Sequence, residues 1–212
     1  MVKLLANLAL TAALVMVATQ AGQAEAQAPT PSPAQIPAQT DAPLLPVGTI
    51  APDVEGKDAT GGAVRLSGQL KRSPGRFAVV YFYPKDETPG CTKEACAFRD
   101  AFDKFEKAGV TIFAVSRDPD ASHKAFREHH KLPFAMVADV FGAVQRAYRV
   151  PPLRPGSDLT ARVTFLVAPD GKIIKVWPEV DPGVNATQVL DAVAAAKAKK
   201  QVAPKKQEEA KK

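Results

Sequence analysis

The sequence predicts an α/β fold in which helices flank a mixed central sheet. Short apolar segments rich in β-branched and aromatic residues alternate with segments whose apolar residues recur at helical spacing. One pair of strand-like segments is joined by the turn Pro169-Asp170-Gly171, which predicts a hairpin. Helices packed on a mixed sheet accommodate this order. A length of 212 residues, 46% of them hydrophobic, suffices for one core.

The centre of the predicted sheet is the uninterrupted apolar run at 77–83, which indicates a buried strand. After it, apolar residues recur at helical spacing from Cys91 to Phe105, and this helix is expected to end at Gly109 with the cysteine towards the core. The other expected elements are a short strand at 64–66, a strand at 110–115, a helix at 120–131, a strand at 134–137, a helix at 141–148, strands at 163–167 and 172–177, and a helix at 185–200.

Both ends of the chain differ in composition from the domain expected at 47–196. Residues 1–26 hold a lysine, an apolar run and then small residues, which is the order of a secretory signal peptide cleaved after Ala26; an uncleaved anchor is the alternative. Residues 27–46 contain six prolines and predict an extended linker, and 197–212 contain seven lysines and predict a disordered tail. We therefore expect an exported protein, periplasmic or secreted, with no stable membrane association after cleavage.

The positive charge of the chain does not indicate a nucleic-acid partner. The net charge is +6, of which the tail at 197–212 carries +5, and no basic stripe interleaved with aromatic residues marks the domain. The three histidines, His123, His129 and His130, lie on a charge-rich helical segment with no cysteine or carboxylate at a recognisable ligand spacing. We expect them at the surface, with neither a metal nor another cofactor.

The only two cysteines, Cys91 and Cys96, follow Pro89 and Gly90, which indicate a helix start with Cys91 in the first turn. Unpaired backbone N–H groups and the helix dipole favour a thiolate there. Residues five apart on a regular helix have Cα atoms about 8.6 Å apart, whereas a disulfide requires about 7 Å or less. If both cysteines are helical when reduced, a disulfide between them requires the start of the helix to unwind.

The residues around these cysteines resemble the peroxiredoxins. Pro84, Thr88 and Cys91 fill the pattern Pro-x-x-x-Thr/Ser-x-x-Cys, and the extension Thr-Pro-Gly-Cys-Thr-x-x-x-Cys, which ends at Cys96, is similar to the Q type, also called bacterioferritin comigratory protein. Further matches include Ser116-Arg117-Asp118, Leu132-Pro133-Phe134 and the segment Arg162-Val163-Thr164-Phe165-Leu166. The resemblance spans 47–193 and implies a thioredoxin-like fold.

The resemblance also implies a thiol-dependent peroxidase acting on hydrogen peroxide and organic hydroperoxides. In it, the Cys91 thiolate attacks the peroxide and becomes a sulfenic acid. Thr88, Arg162 and the Cys91 N–H orient the peroxide and stabilise the charge on the leaving oxygen, while Glu94 positions the arginine. Cys96 then forms an intramolecular disulfide, which a thioredoxin-like dithiol protein reduces. We expect a monomer.

Two other classes of function stay open at this point. A thiol–disulfide oxidoreductase acting on proteins normally carries Cys-x-x-Cys, which is absent here. A binding module with a structural disulfide would leave Thr88 and Arg162 without a role. The chain also departs from the Q type at Arg149, where glycine is usual, and in the proline-rich loop at 151–160, so the shape of the pocket mouth is not predicted.

Overall fold

The computed structural model describes residues 43–209, in which seven strands form one mixed sheet. The strands are β1 (Glu55–Lys57), β2 (Ala63–Arg65), β3 (Phe77–Phe82), β4 (Val110–Ser116), β5 (Ala135–Ala138), β6 (Val163–Val167) and β7 (Ile173–Trp177). Their order across the sheet is β2-β1-β5-β4-β3-β6-β7. β3, β4 and β5 are parallel, and the other pairs are antiparallel. The predicted mixed sheet is therefore confirmed.

Six helices cover the two faces of this sheet. They are α1 (Leu66–Arg72), α2 (Pro89–Asp100), α3 (Phe102–Lys107), α4 (Asp120–His130), α5 (Ala143–Ala147) and α6 (Asn185–Glu209). Val79 and Tyr81 of β3 pack with α2, α3, α4 and α6, whereas Val80 and Phe82 pack on the opposite face with α1 and α5. All six residues of β3 are buried because both faces of the strand are covered.

Four features differ from the predicted elements. The strand β1 and the helix α1 were not predicted, because three residues and two turns are too short to show a clear period. The helix predicted to reach Gly109 is divided at Ala101, and no glycine or proline in the sequence signals this break. Helix α6 runs to Glu209 and so extends into the segment expected to be disordered, which is rich in the helix formers alanine, lysine, glutamine and glutamate.

Arg149, which stands where the Q type usually has glycine, has a backbone conformation typical of glycine. Arg149 has φ of 55°, in the left-handed region that glycine adopts at little cost. The segments at 1–26 and 27–42 lie outside the described residues, so the predicted signal peptide and most of the predicted linker stay predictions. The predicted end of the linker at residue 46 is wrong, because Leu45 is buried and packs in the core. Among the helices of residues 43–209, none is both long enough and apolar enough to cross a membrane.

Candidate active site

The sheet topology brings Cys91 and Arg162 together although 71 residues separate them. Cys91 follows the carboxyl end of β3 through the loop at 83–88, and Arg162 immediately precedes β6. These two strands are antiparallel, with Phe82 opposite Val163. The end of β3 and the start of β6 therefore lie at the same edge of the sheet, and both residues reach that edge.

The chain places Cys91 in the first turn of α2, as predicted. Thr88 is the N-cap with an extended backbone, Pro89 is the first helical residue, and the helix closes its first bond from the Thr92 N–H to the Thr88 carbonyl, 2.8 Å. Proline suits that position because its missing N–H would have no acceptor inside the helix. The N–H of Cys91 has no acceptor within the helix and points towards its N-terminal end. A buried thiol thus lies beside a donor and the positive end of the helix dipole.

Arg162 joins the thiol to a buried carboxylate. Its Nη2 donates to Cys91 Sγ at 3.3 Å, and its Nη1 donates to Glu94 Oε2. Burial opposes the charge of Arg162, but Glu94 and Cys91 outweigh burial, and the pKa of Arg162 is raised. A methyl group on Gly90 would lie 3.3 Å from Nη2, so glycine leaves room for the guanidinium beside the helix start. The rigid fork of a guanidinium can hold both partners at once.

Glu94 is fully buried and lies three residues after Cys91, on the same side of α2. Burial raises its pKa to about 7, against the attraction of Arg162. One carboxyl oxygen accepts from Arg162, and the other, Oε1, has no hydrogen-bond partner among the described residues. The structure therefore places Glu94 where it holds the guanidinium against the thiol.

Thr88 and Pro84 belong to the loop that ends at the helix. The Thr88 hydroxyl donates to the Lys85 carbonyl at 3.0 Å, which keeps its oxygen lone pairs available as acceptors. Pro84 is buried and follows Tyr83, whose N–H makes the last bond to β4, at Val115. Because proline has no N–H, strand pairing ends there and the chain turns into the loop.

Cys96 lies on the same helix but on a different side, and it is half-buried. Both cysteines are free thiols, and α2 is continuous from Pro89 to Asp100. Both cysteines are therefore helical when reduced, and a disulfide between them requires the start of α2 to unwind. A static disulfide does not describe this form of the protein.

A buried polar network that the sequence analysis missed anchors the loop at 83–88. The Asp86 carboxylate accepts from the Tyr83 hydroxyl (2.6 Å) and the Ser122 hydroxyl (2.7 Å), and it lies 2.9 Å from His123 Nδ1. The other ring nitrogen of His123 lies 3.2 Å from the Val137 carbonyl. Burial opposes ionisation of Asp86. The interaction with His123 and the hydrogen bonds from Tyr83 and Ser122 outweigh burial, so the pKa of Asp86 is lowered.

The predicted surface position of His123 is therefore wrong, because its side chain is only 2% exposed. The expectation holds better for the other two histidines, of which His129 is exposed and His130 is partly buried. No local spacing could have revealed this network, since Asp86 and His123 are 37 residues apart. A histidine one turn into an amphipathic helix, on its apolar side, was the only available signal.

The geometry has counterparts in known proteins. The sequence matches the AhpC/TSA family over residues 47–176. The chain belongs to the AhpC/TSA family. It is 44% identical to the chloroplastic peroxiredoxin Q of Arabidopsis thaliana over an alignment of 130 residues. That alignment covers 61% of this chain and 58% of the relative. The chain thus spans less than two thirds of the length of that relative.

Two solved structures of the family extend the comparison. Peroxidoxin BcpB of Mycobacterium tuberculosis is 32% identical, with a TM-score of 0.62 over 70% of this chain and 96% of its own. The bacterioferritin comigratory protein of Xanthomonas campestris is 33% identical, with a TM-score of 0.59 over 68% and 91%. The resemblance to the Q-type peroxiredoxins and the thioredoxin-like fold are therefore confirmed, and with them the thiol peroxidase as the enzyme class of this family.

The predicted location is contradicted by these comparisons. The curated peroxiredoxin Q relatives from Oryza sativa subsp. japonica and Arabidopsis thaliana are named chloroplastic, so the named location of these relatives is not the periplasmic or secreted one that was predicted. The prediction of export depended on residues 1–26 alone, which lie outside both the family match and the described residues.

Proposed function

We propose that this chain is a thiol-dependent peroxidase in which Cys91 reduces hydrogen peroxide and organic hydroperoxides. The observation that carries the proposal is the donation from Arg162 Nη2 to the buried Cys91 Sγ, at 3.3 Å, in the first turn of α2. A structural thiol needs no fixed cation beside it, whereas a nucleophilic thiolate does. The bacterioferritin comigratory protein of Xanthomonas campestris is described by its alkyl peroxide reduction activity, which supports organic hydroperoxides as substrates.

In the first step, the Cys91 thiolate attacks one oxygen of the peroxide and the O–O bond breaks. Sulfur takes that oxygen with its proton as a sulfenic acid, and the other oxygen receives a proton from solvent and leaves as water or an alcohol. The Thr88 hydroxyl, which donates its own proton to Lys85, accepts from the peroxide O–H and orients it. The Arg162 guanidinium and the Cys91 N–H donate to the oxygen on which negative charge develops.

In the second step, the Cys96 thiol condenses with the Cys91 sulfenic acid, forming the S–S bond and releasing water. Because the two residues are five apart on a continuous helix, the first turns of α2 must unwind. A thioredoxin-like dithiol protein then reduces the disulfide, becomes oxidised itself and returns both thiols.

The organisation of the chain around this domain is also a proposal. We propose that residues 1–26 are a targeting segment removed after Ala26, that 27–42 are a linker, and that the domain that follows acts as a monomer. The four prolines between 29 and 37 support the linker, whereas Leu45 is buried in the core and belongs to the domain. Mass spectrometry of the protein from its native source and light scattering of the purified domain test the cleavage site and the oligomeric state.

The activity is tested by peroxide consumption with NADPH, thioredoxin reductase and thioredoxin. We expect turnover by the wild-type chain and none by Cys91→Ser. Cys96→Ser should consume one equivalent of peroxide and accumulate a sulfenic acid at Cys91, which a dimedone adduct and mass spectrometry locate.

Three outcomes contradict the proposal. A dimedone adduct at Cys96 in the wild-type chain would reverse the roles of the two cysteines. Full peroxide turnover by Cys91→Ser would remove the thiol from the mechanism. Reduction of an insulin disulfide without any peroxide consumption would instead favour the thiol–disulfide oxidoreductase.

A further inference from the structure

A carboxylate and two imidazoles converge where the end of α4 meets the loop before Cys91. His129 Nδ1 lies 3.1 Å from Glu87 Oε1, and His130 Nε2 lies 3.0 Å from Glu87 Oε2. The three potential ligand atoms all lie within 4.8 Å of one another. Adjacent histidines on a helix normally point apart, but these two rings have centroids only 4.2 Å apart. The group is neither part of the peroxide site nor part of the buried network around Asp86.

The donor set of this cluster suits a divalent transition metal. Two imidazole nitrogens and a carboxylate oxygen are ligands that zinc, copper and nickel take, whereas calcium and magnesium prefer oxygen alone. Ligand atoms around a tetrahedral zinc ion are about 3.4 Å apart, given bond lengths of about 2.1 Å. The two nitrogen-to-oxygen distances, each to a different oxygen of the Glu87 carboxylate, are close to that spacing. Small side-chain rotations would bring all three atoms around one ion.

We propose that Glu87, His129 and His130 form a binding site for a zinc-like divalent ion, with a fourth position open to water. In the present arrangement each imidazole nitrogen faces a carboxylate oxygen, and the ion takes the place of the protons shared between them. His129 and Glu87 are exposed, which gives the ion access from solvent. The carboxylate is 42 residues before His129 in the chain, so no ligand spacing in the sequence indicates the site.

The ion would tie the loop before Cys91 to α4. Glu87 has φ of 59°, a conformation that a residue other than glycine keeps only when its surroundings fix it. It lies next to Thr88, the N-cap of α2, and four residues before Cys91. This part of the inference rests on the proposed function: because the disulfide requires the start of α2 to unwind, a bound ion should slow its formation.

Binding is tested on the full, untagged chain carrying Cys91→Ser and Cys96→Ser, so that no thiolate competes. Isothermal titration with zinc chloride should show one ion per chain. Adding Glu87→Gln or His129→Ala should weaken binding by about 100-fold or more, since even residues that only orient ligands cost 10–100-fold. Glu128→Gln is the matched control, because it removes an exposed carboxylate next to His129 and should leave binding unchanged.

An absence of saturable binding would overturn the site. Loss of binding in His129→Ala but not in Glu87→Gln would also overturn it, because two adjacent histidines would then bind the ion without the loop. These outcomes do not depend on peroxidase activity, since the titrated chain has no thiols.

The effect on the disulfide is tested in the chain with both cysteines. After one equivalent of peroxide, quenched alkylation measures the rate of Cys91–Cys96 bond formation with and without zinc. We expect zinc to slow the wild-type chain and to have no effect on His129→Ala. Equal slowing of both would mean that zinc acts on the thiolates and would overturn the coupling. If no disulfide forms even without zinc, the proposed function fails, whereas the binding result stands.

Discussion

Arg162 provides the sharpest test of the proposed chemistry, because one side chain holds both the nucleophile and Glu94. At the observed 3.3 Å between Nη2 and Sγ, a unit charge attracts a thiolate by about 5 kcal/mol at an effective dielectric constant of 20. In Arg162→Lys the single ammonium nitrogen can contact either Cys91 or Glu94, but it lacks the fork that holds both. If it stays with Glu94 and its separation from the sulfur grows to a value on the order of 5.5 Å, the attraction falls to about 3 kcal/mol.

The lost 2 kcal/mol corresponds to a decrease of about 30-fold in the rate at which Cys91 reacts with peroxide. Arg162→Ala, which removes the donor, should lose about 10²–10³. The assay is competition between the reduced chain and horseradish peroxidase for hydrogen peroxide, which measures the second-order rate constant of the first step alone. Arg117→Lys is the control, because Arg117 bonds to the Val140 carbonyl and not to the thiol. A rate for a folded Arg162→Lys within threefold of wild type would refute the reasoning.

Three further predictions concern the helix and the buried charges. Oxidation should accelerate amide hydrogen exchange across residues 91–98 while β3 stays protected, and equal protection in both redox states would contradict the unwinding step. Because burial raises the pKa of Glu94 from 4.5 to about 7, the native state keeps a proton that the unfolded chain releases, so stability falls between pH 4.5 and 7 by up to about 3 kcal/mol. In urea unfolding at pH 5 and pH 7.5, Glu94→Gln should lack this decrease in the free energy of unfolding. If the stability of the variant falls with pH as that of the wild type does, the decrease does not come from Glu94. His123→Ala should cost about 3 kcal/mol because it removes the imidazole from the buried Asp86 carboxylate and leaves only the Tyr83 and Ser122 hydroxyls. The exposed His129→Ala should cost less than about 1 kcal/mol in the same measurement.

Much of the site was predictable because most of its residues lie in one continuous segment of the chain. The segment from Pro84 to Cys96 ends a strand, caps a helix and places the thiol in its first turn, and each of these steps depends on neighbours in sequence. The alternation of strand-like and helix-like segments likewise fixed the fold class. The short elements β1 and α1 were missed because a period needs more residues than they contain.

The remaining features depend on which segments the sheet brings together. The sequence by itself determined the helix start that places Cys91 in the first turn, the spacing to Cys96 that prevents a disulfide on a regular helix, and the fold class. Only the tertiary structure decided that Arg162 meets both Cys91 and Glu94, because the antiparallel register of β3 and β6 sets that distance. It also decided that His123 is buried against Asp86 and that Glu87 meets His129 and His130, because the packing of α4 on the loop at 83–88 joins residues about 40 positions apart. Local propensity acts over a few residues, so contacts of this range are decided only when the sheet has assembled.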